Sequence, residues 1–215
     1  MNDLLTPIKT TILFPDHKIR MARCNEEVKD LVDKFFNPEY DEAGITGECF
    51  PVVFHADGTR TVGMGANIIT DAGDEFYAAR ATIEQPANDR FTTGAAFAFD
   101  GELQLGTAGN APSKTSDNDD ITALTTNSLQ AMDGTYPLTN DPDSDNPGTV
   151  GVDIVTYRVS YTTANANDSA IIQAHITNPS PSASEPVLCH STISSFNKTS
   201  SDTLKFFWNH RMNGV

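Results

Sequence analysis

Ser201-Asp202-Thr203-Leu204-Lys205-Phe206-Phe207-Trp208 is the stretch whose reading decides the fold. In an extended chain Leu204, Phe206 and Trp208 point to one side, and Lys205, Phe207 and Asn209 to the other. Three earlier segments of the block 149–211 alternate in the same way. In 152–161, Val155, Tyr157, Val159 and Tyr161 share a face opposite Thr156, Arg158 and Ser160. Segment 170–177 sets Ile172, Ala174 and Ile176 against Gln173, His175 and Thr177, and 187–193 reads Val-Leu-Cys-His-Ser-Thr-Ile. Period-two alternation broken by loops such as 164–168 and 178–181 predicts an antiparallel meander with one buried face.

Working toward the N-terminus, Asn25 to Phe36 carries the clearest helical pattern. Val28, Leu31, Val32, Phe35 and Phe36 form one apolar stripe. Asn25 is a capping residue, Glu26 and Glu27 suit the positive end of the dipole, and Asn37-Pro38 ends the helix. Thr10 to Phe14 reads as a short strand halted by Pro15. Two Asp-Gly pairs predict type I′ hairpins: 52–54 through Asp57-Gly58 into 59–62, and Phe97 and Phe99 through Asp100-Gly101 into Leu103 and Leu105. Between them Asp71 to Ile83 has helical spacing (Phe76, Ala79, Arg80, Ile83), with Gly73 weakening its first turn and Pro86 beyond its end. Residues 106–148 are rich in turn formers and hold seven aspartates against Lys114, so they read as a long acidic loop with one short element near 121–132. The expected fold is mainly β: an antiparallel β-sandwich or jelly-roll-like domain (46–215) with one or two short helices, preceded by an N-terminal arm (1–45).

The chain of 215 residues has 29 acidic and 14 basic residues, a net charge of −15. That balance argues against nucleic acid as a partner. Six of the basic residues lie in 1–40 (Lys9, Lys18, Arg20, Arg23, Lys29, Lys34) against seven acids. Two readings stay open there: an arm that docks on a partner through Lys9, Lys18, Arg20 and Arg23, or a lead-in packed on its own domain. Cysteines 24, 49 and 189 are odd in number and widely spaced, which supports neither a disulfide framework nor a zinc site. The first residues lack a signal-peptide pattern, and no apolar run reaches membrane-spanning length, so a soluble protein made in the cytosol is expected.

Few constellations carry chemistry. Asp141, Asp143 and Asp145 place oxygens at alternate positions of a turning loop, a candidate Ca²⁺ site. Its glycine comes too late for an EF-hand, and Val152 stands where the glutamate belongs. His175, His190 and His210 sit on three C-terminal strands, but alternation puts His175 and His210 on opposite faces, against a shared metal. No nucleophile elbow, P-loop or dinucleotide fingerprint occurs. Tyr157, Tyr161 and Trp208 are the aromatics on which a sugar-binding β-sandwich would rely.

Three stretches together resemble virion proteins of tailed bacteriophages. Asn67-Ile-Ile-Thr-Asp-Ala-Gly73 opens a helix, Leu105-Gly-Thr-Ala-Gly-Asn-Ala-Pro112 with Ser116-Asp117 ends a strand in a loop, and Ser201 to Trp208 closes the domain. Ala108 departs from a glycine of that pattern, and residues 1–65 lie outside it. The resemblance implies a non-enzymatic accessory structural protein, assembled in the host cytoplasm and carried in the virion. It would be a capsid cement binding the major capsid protein as a homo-oligomer, a dimer or trimer. A tail, neck or fibre-attachment part is the runner-up, and a carbohydrate-binding module the reading from another class.

Overall fold

A computed structural model describes residues 9–14, 19–22, 25–36, 44–81, 91–93 and 98–213. The elements are β1 (Thr10–Leu13), β2 (Ile19–Ala22), α1 (Asn25–Phe36), β3 (Gly44–Phe54), β4 (Arg60–Val62), β5 (Gly65–Ile69), α2 (Asp71–Ala81), β6 (Thr92–Thr93), β7 (Ala98–Phe99) and β8 (Glu102–Ala108). A 3-10 turn at Asn118–Asp120 follows, then β9 (Ala123–Leu124), β10 (Gln130–Ala131), β11 (Leu138–Thr139), β12 (Ile154–Tyr161), β13 (Asp168–Thr177), β14 (Cys189–Lys198) and β15 (Thr203–Asn213). The fold is mainly β and antiparallel, with two helices among the described residues, as the alternation requires. Lys18, Arg23, Cys24, Ile83, Pro86 and Phe97, named above, lie outside the described residues.

One sheet runs in the order β10-β8-β13-β14-β5-β3-β15-β12-β11, with β4, β1 and β2 branching from β3 and β9 beside β8. Among the described residues only the pairing of β1 with β4 is parallel. The sheet curls until its ends meet. Tyr161 Oη on β12 donates to the Ser128 carbonyl at 2.8 Å, and Asp133 N donates to the Arg158 carbonyl at 2.9 Å. This closure lets the short connection 162–167 join β12 to β13, which stand far apart along the sheet. The C-terminal strands are therefore no meander. β13 pairs β14 and β12 pairs β15, but β5 and β3 intervene between the two pairs. Polar spacing cannot reveal such insertion, because it records faces and not neighbours.

Two cores result. Inside the curl lie Tyr157, Val159 and Tyr161 of β12, Leu204, Phe206 and Trp208 of β15, Ala174 and Ile176 of β13, and Phe76 of α2. Outside it, Phe50 and Val52 of β3 and Phe207 of β15 are covered by Ile12 of β1 and by Val28 and Val32 of α1. Phe206, Phe207 and Trp208 are all at most 1 % exposed because both faces of β15 are covered at these positions, not one as the alternation alone predicts. Each such side chain contributes roughly 2–3 kcal/mol of burial free energy. Thus the described part of the lead-in forms a layer of the domain.

The two Asp-Gly pairs behave differently from the type I′ expectation. β3 and β4 do form a hairpin, Val52 opposite Val62, but only Gly58 has positive φ (81°). Gly58 N donates to the His55 carbonyl and His55 N to the Thr59 carbonyl, a longer turn ending in a left-handed glycine. Asp100-Gly101 makes no hairpin: β7 pairs β6, while β8 pairs β13. The acidic region 106–148 is ordered through β9, β10, β11 and side-chain bridges.

Candidate functional site

Asp141, Asp143 and Asp145 lie by the outer face of β12 and β15, where basic side chains meet Asp143 and Asp145. Arg158 Nη1 lies 2.7 Å from Asp143 Oδ2, and Lys205 Nζ lies 2.9 Å from the same oxygen and 2.7 Å from Asp145 Oδ2. Arg60 adds a contact to Asp145 at 3.7 Å. Arg158 also reaches Asp133 at 2.6 Å and stacks on the Tyr136 ring at 4.2 Å. Asp141 accepts from Tyr136 Oη and from the Asn146 amide. Against the pull of burial, hydrogen bonds from Asp145 N and Lys205 hold the Asp143 carboxyl below its ordinary value. Asp143 and Asp145 brace the loop against the sheet, while Asp141 is held within the loop by Tyr136 Oη, Asp143 N and Asn146 Nδ2. Among the described residues no group of three or more His, Cys, Asp or Glu side chains converges as a metal site.

The histidines divide as strand parity predicts. His175 and His190 face outward side by side, ring centroids 6.2 Å apart, beneath the strap 109–121. Gln173 Oε1 and Gln104 Oε1 only accept, so His190 Nε2–H donates to the first at 2.8 Å and His175 Nε2–H to the second at 2.9 Å. His190 Nδ1 then accepts from Ser116 Oγ at 3.0 Å, and His175 Nδ1 has no partner. A serine hydroxyl on an imidazole is the opening pair of a hydrolase, but both residues are 0 % exposed, so no substrate reaches them. Burial, with a smaller contribution in the same direction from the neighbouring His190, brings His175 down to about 3.

His210 occupies the interior. The Asn67 amide donates to its Nε2 at 3.0 Å, so Nδ1 carries the proton and is bonded to Tyr77 Oη. Tyr77 and Tyr157 hydroxyls meet at 2.7 Å. Burial pushes His210 down to about 3 and the phenols of Tyr77 and Tyr157 well above their usual range. It also pushes the Cys49 thiol up to about 12 and raises Cys189. This network fastens α2 to β5, β12 and β15.

Of the proposed docking residues, Lys9 is exposed at the start of β1, and Arg20 lies on β2 opposite Ile12. The aromatics offered for sugar stacking, Tyr157, Tyr161 and Trp208, are at most 2 % exposed, so none presents a ring to a ligand. Sequence reasoning missed Asn67, Tyr77, Gln104, Ser116, Gln173, Arg158 and Lys205 as network members. One signal was present: polar residues at alternate strand positions read as a wet face, although a face crossed by a long loop is covered. Comparison with protein-family models, with curated proteins and with solved structures finds no match.

Proposed function

We propose that this chain is a non-enzymatic structural protein of a tailed-bacteriophage virion, a cement that binds and stabilises the major capsid lattice. The observation that carries this reading is the use of every reactive cluster described above as an internal fastener. Ser116 with His190, His210 beneath the partly buried Tyr77, and the thiols of Cys49 and Cys189 are turned inward. The three stretches behind the phage resemblance add support, because each lies at a joint. Asn67–Gly73 links β5 to α2, with Thr70 Oγ1 accepting from Gly73 N at 3.1 Å. Leu105–Asp117 leads β8 into the strap, and Ser201–Trp208 supplies the strand shared by both cores.

Cement proteins act by spanning neighbouring subunits, and symmetric self-association gives them avidity. The net charge of −15 keeps the free protein dispersed before assembly. Quantitative mass spectrometry of intact particles tests the proposal. About one copy per one to three major capsid subunits is the outcome expected of a lattice-wide, avidity-driven contact. A few dozen copies or fewer per particle moves the protein to the neck or tail, and complete absence overturns the virion reading. For the docking residues, Arg20→Glu with Arg23→Glu abolishes particle binding while the folded β-domain persists; unchanged occupancy refutes docking through the lead-in.

A further inference from the structure

Lys198, the last residue of β14, is 1 % exposed and ranks among the largest fully buried side chains of the molecule. Its Nζ lies 2.7 Å from Oδ1 of Asn167. The carboxamide is clamped from its other end as well, Nδ2 donating to the Thr163 carbonyl at 2.7 Å. Neighbouring backbone fixes both partners. Asp168 and Lys198 are register partners of β13 and β14, and Ala166 and Ala170 on either side of Asn167 hold positive φ angles of 53° and 56°. A lysine amine and an asparagine carboxamide are thereby held in direct contact, with Nζ hydrogen-bonded to the oxygen on the carbon it would attack.

We propose that Lys198 and Asn167 react with each other to form an intramolecular isopeptide bond that ties β14 to the β12–β13 turn. The amine nitrogen Nζ attacks Cγ of Asn167, the Cγ–Nδ2 bond breaks, and Nδ2 leaves as ammonia. Amine and primary amide become a secondary amide and ammonia, so atoms balance and no oxidant or reductant is required. The hydrogen that Nζ gives up ends on the departing nitrogen, carried by water at the half-exposed side of Asn167. Burial lowers the pKa of the Lys198 ammonium, outweighing the opposing charge of Asp202, and so favours the nucleophilic neutral amine. The closed loop would fasten the turn that the sheet's curling brings across to β13.

Intact-mass spectrometry of the purified full chain, followed by tryptic mapping, decides the matter. The expected result is a mass short by one ammonia, with a branched peptide joining the segments around Asn167 and Lys198 and no cleavage after Lys198. Lys198→Arg restores the full mass, and Asn167→Asp loses water in place of ammonia. The inference is overturned if the wild-type chain has its full mass and Lys198 takes up an amine label after denaturation. It is equally overturned if the ammonia deficit maps to one unbranched peptide or persists in Lys198→Arg, which would mark succinimide formation at an asparagine. Should Lys198→Arg fail to fold, the branched wild-type peptide, or its absence, still decides.

Discussion

Gly73 looks like a flaw in a helix, and it is a fitting instead. Alanine is the better helix former by about 1 kcal/mol. Yet a Cβ at Gly73 would stand 2.2 Å from the Leu188 carbonyl oxygen, a backbone atom that cannot step aside. Gly73→Ala should therefore destabilise by about 1–3 kcal/mol despite its propensity gain, read from the midpoint of urea unfolding. The buried histidines give a second expectation, with a definite sign. His175 and His210 titrate near 3 when folded and at about 6.5 when unfolded, so the unfolded chain binds more protons throughout that interval. Stability is complete above the unfolded value and falls as the pH drops through it, by about 2–3 kcal/mol for each histidine at about pH 4.5. Carboxylates with lowered values, such as Asp143 and Asp202, add their losses only in stronger acid. Denaturant titrations from neutrality down to mild acid should show this slope, and His175→Gln with His210→Gln should remove most of it. Strand parity already separated His175 from His210 in the sequence. Their desolvation was not legible, because it depends on a strap and a helix arriving from elsewhere in the chain.

The acidic stretch 133–148 is held by a few basic side chains, and Arg158 is the most connected of them. It serves Asp133, Asp143 and Tyr136 while remaining 22 % exposed. Removing it takes one partner from each of two partly buried carboxylates, and Lys205 on Asp143, Ser160 on Asp133 and solvent access soften the loss below that of a sealed pair. Arg158→Ala should cost about 2 kcal/mol, and amide exchange should quicken through 133–148 while β13 and β14 keep their protection. A uniform change across the sheet would show that the arginine braces the domain rather than the loop. All four C-terminal strands could be read from their alternation, and α1 from its stripe and stop signals. Pairing could not. Asp100-Gly101 has the composition of a tight hairpin, yet β8 finds its partner in β13, where Leu103 meets Ile176 and Leu105 meets Ala174. The burial available to those side chains outweighs the local preference of two turn residues.

The two cores share β3 and β15, so neither should melt alone. Trp208 is the only tryptophan of the chain and lies wholly within the interior, while Phe207, its neighbour, lies in the core beneath α1. Tryptophan fluorescence and far-ultraviolet circular dichroism should report one coincident transition in urea, and two separated midpoints would mean that the layer of β1 and α1 detaches first. β15 pairs with β3 from Thr203↔Phe54 to Asn213↔Gly44, and with β12 from Leu204↔Tyr161 to Arg211↔Ile154. Every other strand precedes it in the chain. During translation β3 and β12 must wait, each with an unpaired edge and a bare apolar face, until residue 213 clears the ribosome. Contacts of such long sequence separation form slowly, and the waiting intermediate is the species prone to aggregate. A nascent chain stalled before β15 should stay protease-sensitive, because the edges of β3 and β12 that β15 covers remain open.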